Sequence, residues 1–356
     1  MTATSARRAP STPTPVARRQ RSPRAVMVIG LLLALISAFT FGSSGAVAKS
    51  VFATGWSPAA TVTTRMALGA LILSVPAALA MRGRWHLLRR GRTWLHVGLF
   101  GVFAVAGAQL FYFLAVSHLS VGVALMLEYL GPILVVGWLW LVHGQRPRRL
   151  TLIGGVIAMA GLLLILDVLG DVQVSTIGVI FGMCAAVGLA VFFILAADES
   201  NGLPPITFSA LGMAVGTVVV SLAGVVGIVP FHASTADTSV AGIAVAWWVP
   251  VLWLGAVAAA FAYATGIMAT RMLQAKVASF VGLVEVLFAV LWAWALLGEM
   301  PAPVQLLGGL LILAGVVAVK LDEPSPAPVV ELEATEAPAG EVAVATASAD
   351  ATPEPA

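Results

Sequence analysis

The stretch WLWLVHGQRPRRLTLIGGVIAMAG at residues 138–161 recurs as WAWALLGEMPAPVQLLGGLLILAG at residues 292–315. Trp138, Trp140, Gly144, Pro147, Gly154, Gly155, Ala160 and Gly161 fall on Trp292, Trp294, Gly298, Pro301, Gly308, Gly309, Ala314 and Gly315. The same offset of 154 residues carries Trp94 onto Trp248, Gly101 onto Gly255, Ala104 onto Ala258 and Ala124 onto Ala278, with no gap. Apolar composition alone supplies chance matches of leucine or valine. It does not supply tryptophan, proline and paired glycine in one order at one offset. The chain therefore reads as an internal repeat, a recurrent construction of membrane transporters.

The composition agrees. Of 356 residues, 60% are hydrophobic and 10% charged, and the mean hydropathy is +1.01. Soluble domains carry far more charge. A membrane helix needs about 20 mostly apolar residues. Ten such stretches are expected, near 26–48, 58–80, 94–116, 119–142, 150–167, 175–197, 205–229, 246–270, 274–297 and 301–320. They are too long and too continuously apolar for barrel strands, so the expected fold is an all-α integral membrane protein. Five spans per half make the second half enter from the opposite side, which inverts the repeat. With a cytoplasmic N-terminus, every basic residue except Lys49 and Arg65, of nineteen, falls on the inner side. That bias sets both termini in the cytoplasm. The first apolar run is too long for a cleaved signal and reads as a retained span. Residues 1–25 form a basic arm and 321–356 a tail with half of the sixteen acids; both are expected to be disordered. The basic residues adjoin apolar stretches rather than forming one patch, which argues against nucleic acid. A single cysteine, Cys184, excludes an internal disulfide framework and a cysteine-ligated zinc site.

Specific pieces add a family resemblance. They are Phe41-Gly42-Ser43-Ser44 through Ala48-Lys49-Ser50, Pro58 to Arg65, Ala278-Ser279 to Glu285, Leu296-Leu297-Gly298-Glu299, and Gln305 to Gly315. With these the chain resembles the drug/metabolite transporter superfamily, with two EamA-type five-helix domains at 26–167 and 175–320. Ala48-Lys49-Ser50, Arg65-Met66-Ala67-Leu68-Gly69 and Leu127-Glu128-Tyr129-Leu130-Gly131-Pro132 look most like the bacterial threonine/homoserine exporter branch. The resemblance implies a plasma-membrane exporter of an amino acid or related small metabolite. Drugs, purines or sugar-linked metabolites, and import, stay open as alternatives. The family usually has proline after the span-nine glutamate. This chain has Val286, so a less kinked span nine is expected.

Ionisable groups at bilayer depth are costly and mark partners or aqueous cavities. Glu128 and Glu285 fall near midplane, and Arg65 at a depth that suits a pair with Glu128. The repeat sets Glu128 against Gly282 and Glu285 against Gly131. Each half then offers a carboxylate and a glycine three residues apart on one helix face. The carboxylates are expected to take an ammonium or a proton, and Gly131 and Gly282 to leave room for a ligand. Tyr112, Tyr263, Gln109 and Ser43 are further candidates for the path. Lys49 is expected to snorkel to the interface, with a substrate role as the lesser reading. The paired glycines are expected to serve close helix packing.

Other classes fit poorly. Gly42-Ser43-Ser44-Gly45 matches a loose intramembrane serine-protease pattern, but no histidine lies deep in a later helix to act as base. The stretch before Lys49-Ser50 lacks the glycines of a phosphate loop. No ring of repeated charges suggests a channel. The expectation is a transporter and not an enzyme, with no cofactor and no metal. Its partners are a small-molecule substrate and the lipid bilayer; coupling ion and oligomeric state are left open.

Overall fold

The computed structural model describes residues 23–116, 118–119, 121–165, 175–298 and 300–322. Most of the expected arm and tail lie outside them; where they are described, residues 23–25 open a helix rather than belonging to a disordered arm, and Leu321 ends one. The fold is mostly helical. Helix α1 spans Pro23–Phe52 and α2 Pro58–Ala80. Next, α3 (Gly91–Leu99) runs through a π-helical segment, Phe100–Gly107, into α4 (Ala108–Val116). Two short helices follow, α5 (Val121–Glu128) and α6 (Gly131–His143), then α7 (Arg149–Ile165). The second half begins with α8 (Thr176–Ala197) and α9 (Pro205–Val225). A loop carries the antiparallel strands β1 (Thr238–Val240) and β2 (Ile243–Val245), which the sequence reading did not anticipate. Then α10 (Trp248–Gly255) passes through a second π-helical segment, Ala256–Phe261, into α11 (Ala262–Gly282), followed by α12 (Val284–Leu297) and α13 (Pro303–Leu321).

Eight helical segments among the described residues are long and apolar enough to cross a membrane, and Arg149–Leu164 and Val284–Leu297 are shorter apolar helices. One of the eight, Trp248–Gly282, contains a non-helical residue, Gln274, at φ 65°. The outward faces are apolar: Leu71 is 68% exposed, Val156 71% and Leu310 65%. Continuous apolar surface of this kind needs lipid rather than water against it.

The repeat is legible in local structure. The two π-helical segments start from the matched glycines, Gly101 lying in one and Gly255 just before the other. Span four is interrupted between Glu128 and Gly131, and the matched stretch between Gly282 and Glu285 is interrupted at Leu283. The expectation of a straighter span nine is therefore not met. Its break does not need proline. The Leu283 N–H bonds Phe280 O and the Val286 N–H bonds Leu283 O, both at 3.1 Å, so two tightened turns replace the regular ladder beside Gly282.

Helices α7 and α13 pack antiparallel through their glycines. A Cβ on Gly154 would lie 2.7 Å from Gly315 O, and one on Gly161 2.5 Å from Gly308 O. Only hydrogen permits that approach, as expected of small-residue seams in membranes. Asp322, just past α13, accepts from the Thr151 N–H at 3.1 Å and from the Thr151 hydroxyl, capping α7. At the other end of the first half, Ser57 caps α2 through the Ala60 N–H (3.2 Å) and also accepts from His232 N–H (3.0 Å). Trp56 Nε1 donates to Ser234 O (2.6 Å) and Thr238 Oγ1 to Ser50 O (2.6 Å). Residues 232–238 thus strap the α1–α2 turn.

Candidate functional site

Arg65 lies two turns into α2 and is 7% exposed. Its Nη2 donates to Ala258 O at 3.4 Å, and its guanidinium carbon stands 5.6 Å from the centroid of the Phe41 ring. Ala258 belongs to the second π-helical segment, where the widened turn alters which carbonyls stay in the ladder. Tyr263, 3% exposed, follows that segment. Its ring packs on Phe41 at 5.0 Å and edge-on to Phe192 at 5.7 Å.

The two breaks bring the acids in. Glu128 ends α5, and Glu285 lies in the first turn of α12. Glu285 is the common electrostatic neighbour of Glu128, Arg65, Tyr112, Tyr129 and Tyr263. The Tyr129 hydroxyl donates to its carboxylate. Glu128 and Glu285 are each half-buried. The chain has three tyrosines, and all three converge here.

Several expectations change. Arg65 neighbours Glu285, not Glu128, so the expected Arg65–Glu128 pair is replaced by an Arg65–Glu285 proximity. Gly131 and Gly282 do not leave vacant ligand space. Added Cβ atoms would meet Leu189 at 3.1 Å and Phe193 at 3.0 Å, both on α8. Their small size lets α8 close in on the breaks. Ser43 is fully buried, donating to Thr40 O (2.6 Å) and accepting from Trp253 Nε1 (3.0 Å). Both hydrogen bonds tie it into the packing of α1. Lys49 is exposed in the last turn of α1, and Gln109, the repeat partner of Tyr263, is half-buried on α4. The aromatic wall of Phe41 and Phe192 and the Ala258 carbonyl had no sequence signal beyond the alanine-rich run after Gly255.

The protease reading finds no base. His96 is committed elsewhere, with Nε2 3.1 Å from Leu195 O and Nδ1 3.6 Å from Asp198. Burial pushes the Asp198 carboxyl up, but hydrogen bonds from the Ser200 N–H and hydroxyl, with His96 and Arg92 nearby, outweigh it and hold the group below its ordinary range. Among the described residues no cluster of three histidine, cysteine or acidic side chains is arranged to hold a metal.

A bundle of apolar helices enclosing paired acids, an arginine and tyrosines at helix breaks defines a membrane transporter rather than an enzyme. The family model of EamA-like transporters matches residues 28–167 and 176–321. The chain belongs to this family, within the drug/metabolite transporter superfamily, and carries two EamA domains. It is similar to an uncharacterized transporter of Archaeoglobus fulgidus, 27% identical over 230 residues, covering 64% of this chain and 76% of that protein. A solved crystal structure shares the fold at a TM-score of 0.65 and 18% identity, over 84% of this chain and 98% of its own.

Proposed function

We propose that this protein is a secondary active exporter of a small amino acid or related metabolite, working by alternating access in the plasma membrane. Its architecture on this reading is ten spans in two inverted five-helix repeats, 26–167 and 175–320, with both termini cytoplasmic. Division of the Trp248–Gly282 segment at Gln274 supports that count, because it separates span eight from the first half of span nine. In the cavity, Glu128 or Glu285 takes the substrate ammonium or a coupled proton. The threonine/homoserine branch is the preferred substrate class.

The observation that carries the proposal is the meeting of both intramembrane glutamates, Arg65 and all three tyrosines at breaks matched by the repeat. Transporter sites lie near midplane where discontinuous helices meet at the repeat interface. Cells loaded with amino acids as dipeptides should export at least one of them faster when the protein is present. Glu128→Gln, at equal amount in the membrane, should cut that export by about tenfold or more, since it removes the charge from a costly buried site. Unchanged export of every amino acid would move the substrate to the drugs and other metabolites of the superfamily. Normal export by Glu128→Gln would remove Glu128 from the mechanism.

A further inference from the structure

His96, near the start of α3, is 8% exposed and sits against the C-terminal end of α8. The two helices belong to different EamA domains. The His96 Nε2 stands 3.1 Å from Leu195 O and its Nδ1 3.6 Å from an Asp198 oxygen. Leu195 O is among the last four carbonyls of α8, which a helix leaves without intrahelical partners. Both oxygens only accept. A carbonyl does so in any state, and Asp198 keeps its charge because its carboxyl is held below the ordinary range. A neutral imidazole has one N–H and one lone pair. Bonded to Leu195 O, the neutral ring turns its lone pair toward a carboxylate. The imidazolium instead offers an N–H to each oxygen, and it stands at a helix end that favours a cation. Few other charges surround the ring. Arg92 on α3 and Arg271 on α11 bear on Asp198, and Glu199 bears on Arg271. Helix α9 has no titratable residue and meets His96 with the Phe208 ring, edge-on at 5.4 Å. The helical turn Trp85–Arg89 leaves His86 and Arg89 exposed.

We propose that His96 is a proton-binding site that clamps the two EamA domains at this end: protonated, it ties α3 to the end of α8, and neutral, it lets go of Asp198. Neighbouring contacts between the domains carry no titratable group. Thr207 Oγ1 donates to Ala77 O at 3.2 Å, and Leu87 lies beside Gly202. Arg271, over the same Phe208 ring at 5.8 Å, holds the loop after α8 by donating from Nη1 to Leu203 O at 2.7 Å, and an arginine keeps its charge. The proton on His96 therefore sets how firmly this end is shut. The clamp needs both His96 and Asp198 charged, so it holds above the carboxylate range and weakens as pH rises through the imidazole range. In an alternating-access cycle one end stays shut while the other opens. On the proposed orientation this is the cytoplasmic end, so an acid cytoplasm holds it shut and an alkaline one frees it. That consequence rests on the transporter reading; the clamp itself does not.

The test uses the full chain purified in detergent. Melting temperatures of the unsubstituted protein, His96→Gln, Asp198→Asn and the double variant form a cycle that cancels groups titrating elsewhere. At about pH 6 the double variant should lose less than the sum of the single losses, and at about pH 8, above the ordinary imidazole range, that coupling should vanish. Equal coupling at both pH values, or none at either, overturns the clamp. Opening is read with Ala196→Cys, fully buried in the last turn of α8, in the Cys184→Ser chain, which lacks the single native thiol. N-ethylmaleimide should label it, relative to exposed Thr235→Cys at the same pH, about fivefold faster at the higher pH, in line with a histidine cation at a partly buried helix end. His96→Gln should give the faster ratio at both. No labelling at either pH, or a ratio indifferent to pH or to His96→Gln, overturns the gate. Neither readout involves export. A clamp that responds as described in a chain exporting no amino acid defeats the substrate assignment alone, and a flat cycle in a chain that does export defeats the clamp alone.

Discussion

Glu285 and Glu128 have the same side chain in opposite settings. Glu285 lies in the first turn of α12, where exposed N–H groups favour negative charge, with Arg65 nearby and the Tyr129 hydroxyl bonded to it. Glu128 lies at the last residue of α5, the end of a helix that favours a cation, and its charged neighbour is another acid. On the proposed transport reading, Glu285 is held in place by the protein and Glu128 is the acid that meets the ligand. Tyr129→Phe separates these roles. It removes one donor from an enclosed carboxylate, a loss of about 1.5–3 kcal/mol for a hydrogen bond to a charged group. The expected outcome is a lower melting temperature in detergent and a partial loss of export, smaller than the loss in Glu128→Gln. A Tyr129→Phe protein with unchanged melting and unchanged export would show that the hydroxyl does not position Glu285.

The helices were more legible than their interruptions. The apolar runs and the paired glycines stand in the sequence, because hydropathy reports burial in lipid and repeat spacing reports the seam. The π-helical segments and the break at Leu283 do not, because they depend on which neighbour comes close: Phe100 and Val105 pack against α9, and Phe193 fills the space beside Gly282. Arg65 has Glu285 and not Glu128 as its charged neighbour, a choice that depth alone does not make. The α7–α13 seam is where sequence and structure agree. Gly154→Leu should force a side chain into the backbone of Gly315, where overpacking costs about 1–3 kcal/mol or more, and lower the melting temperature. Gly137→Ala is the control, since a Cβ there meets nothing within 4 Å. Asp322→Ala should also destabilise, by about 1 kcal/mol for a lost helix cap on α7, and Thr151→Ala should add little to it because both remove one interaction. Thermal melts of the two single variants and the double variant measure that coupling. Independent, additive losses would mean that Asp322 does not act through Thr151.

At the scale of the molecule, the proposed transport cycle requires the halves to be upside down relative to one another. Matched π-helical segments and matched breaks establish that the halves are alike in local structure, and only the side of the membrane on which their loops emerge establishes inversion. The loops make that measurable. Arg89 and Gln145, in the first half, and Thr235, in the loop that straps α1 and α2, are all exposed. An odd number of spans separates Gln145 from Thr235 on the ten-span reading, so their sides differ. Arg89 and Gln145 are separated by two spans and share a side. Single cysteines at these positions in the Cys184→Ser chain, treated in intact cells with an impermeant maleimide, should label at Thr235→Cys alone. Arg89→Cys and Gln145→Cys should react only after the cells are opened, as their basic loops require of a cytoplasmic face. Labelling of all three from outside would put an even number of spans between Gln145 and Thr235. The two halves would then run parallel, the breaks at Glu128 and Glu285 would open toward the same leaflet, and rocking one half against the other would no longer expose a shared site to each side in turn.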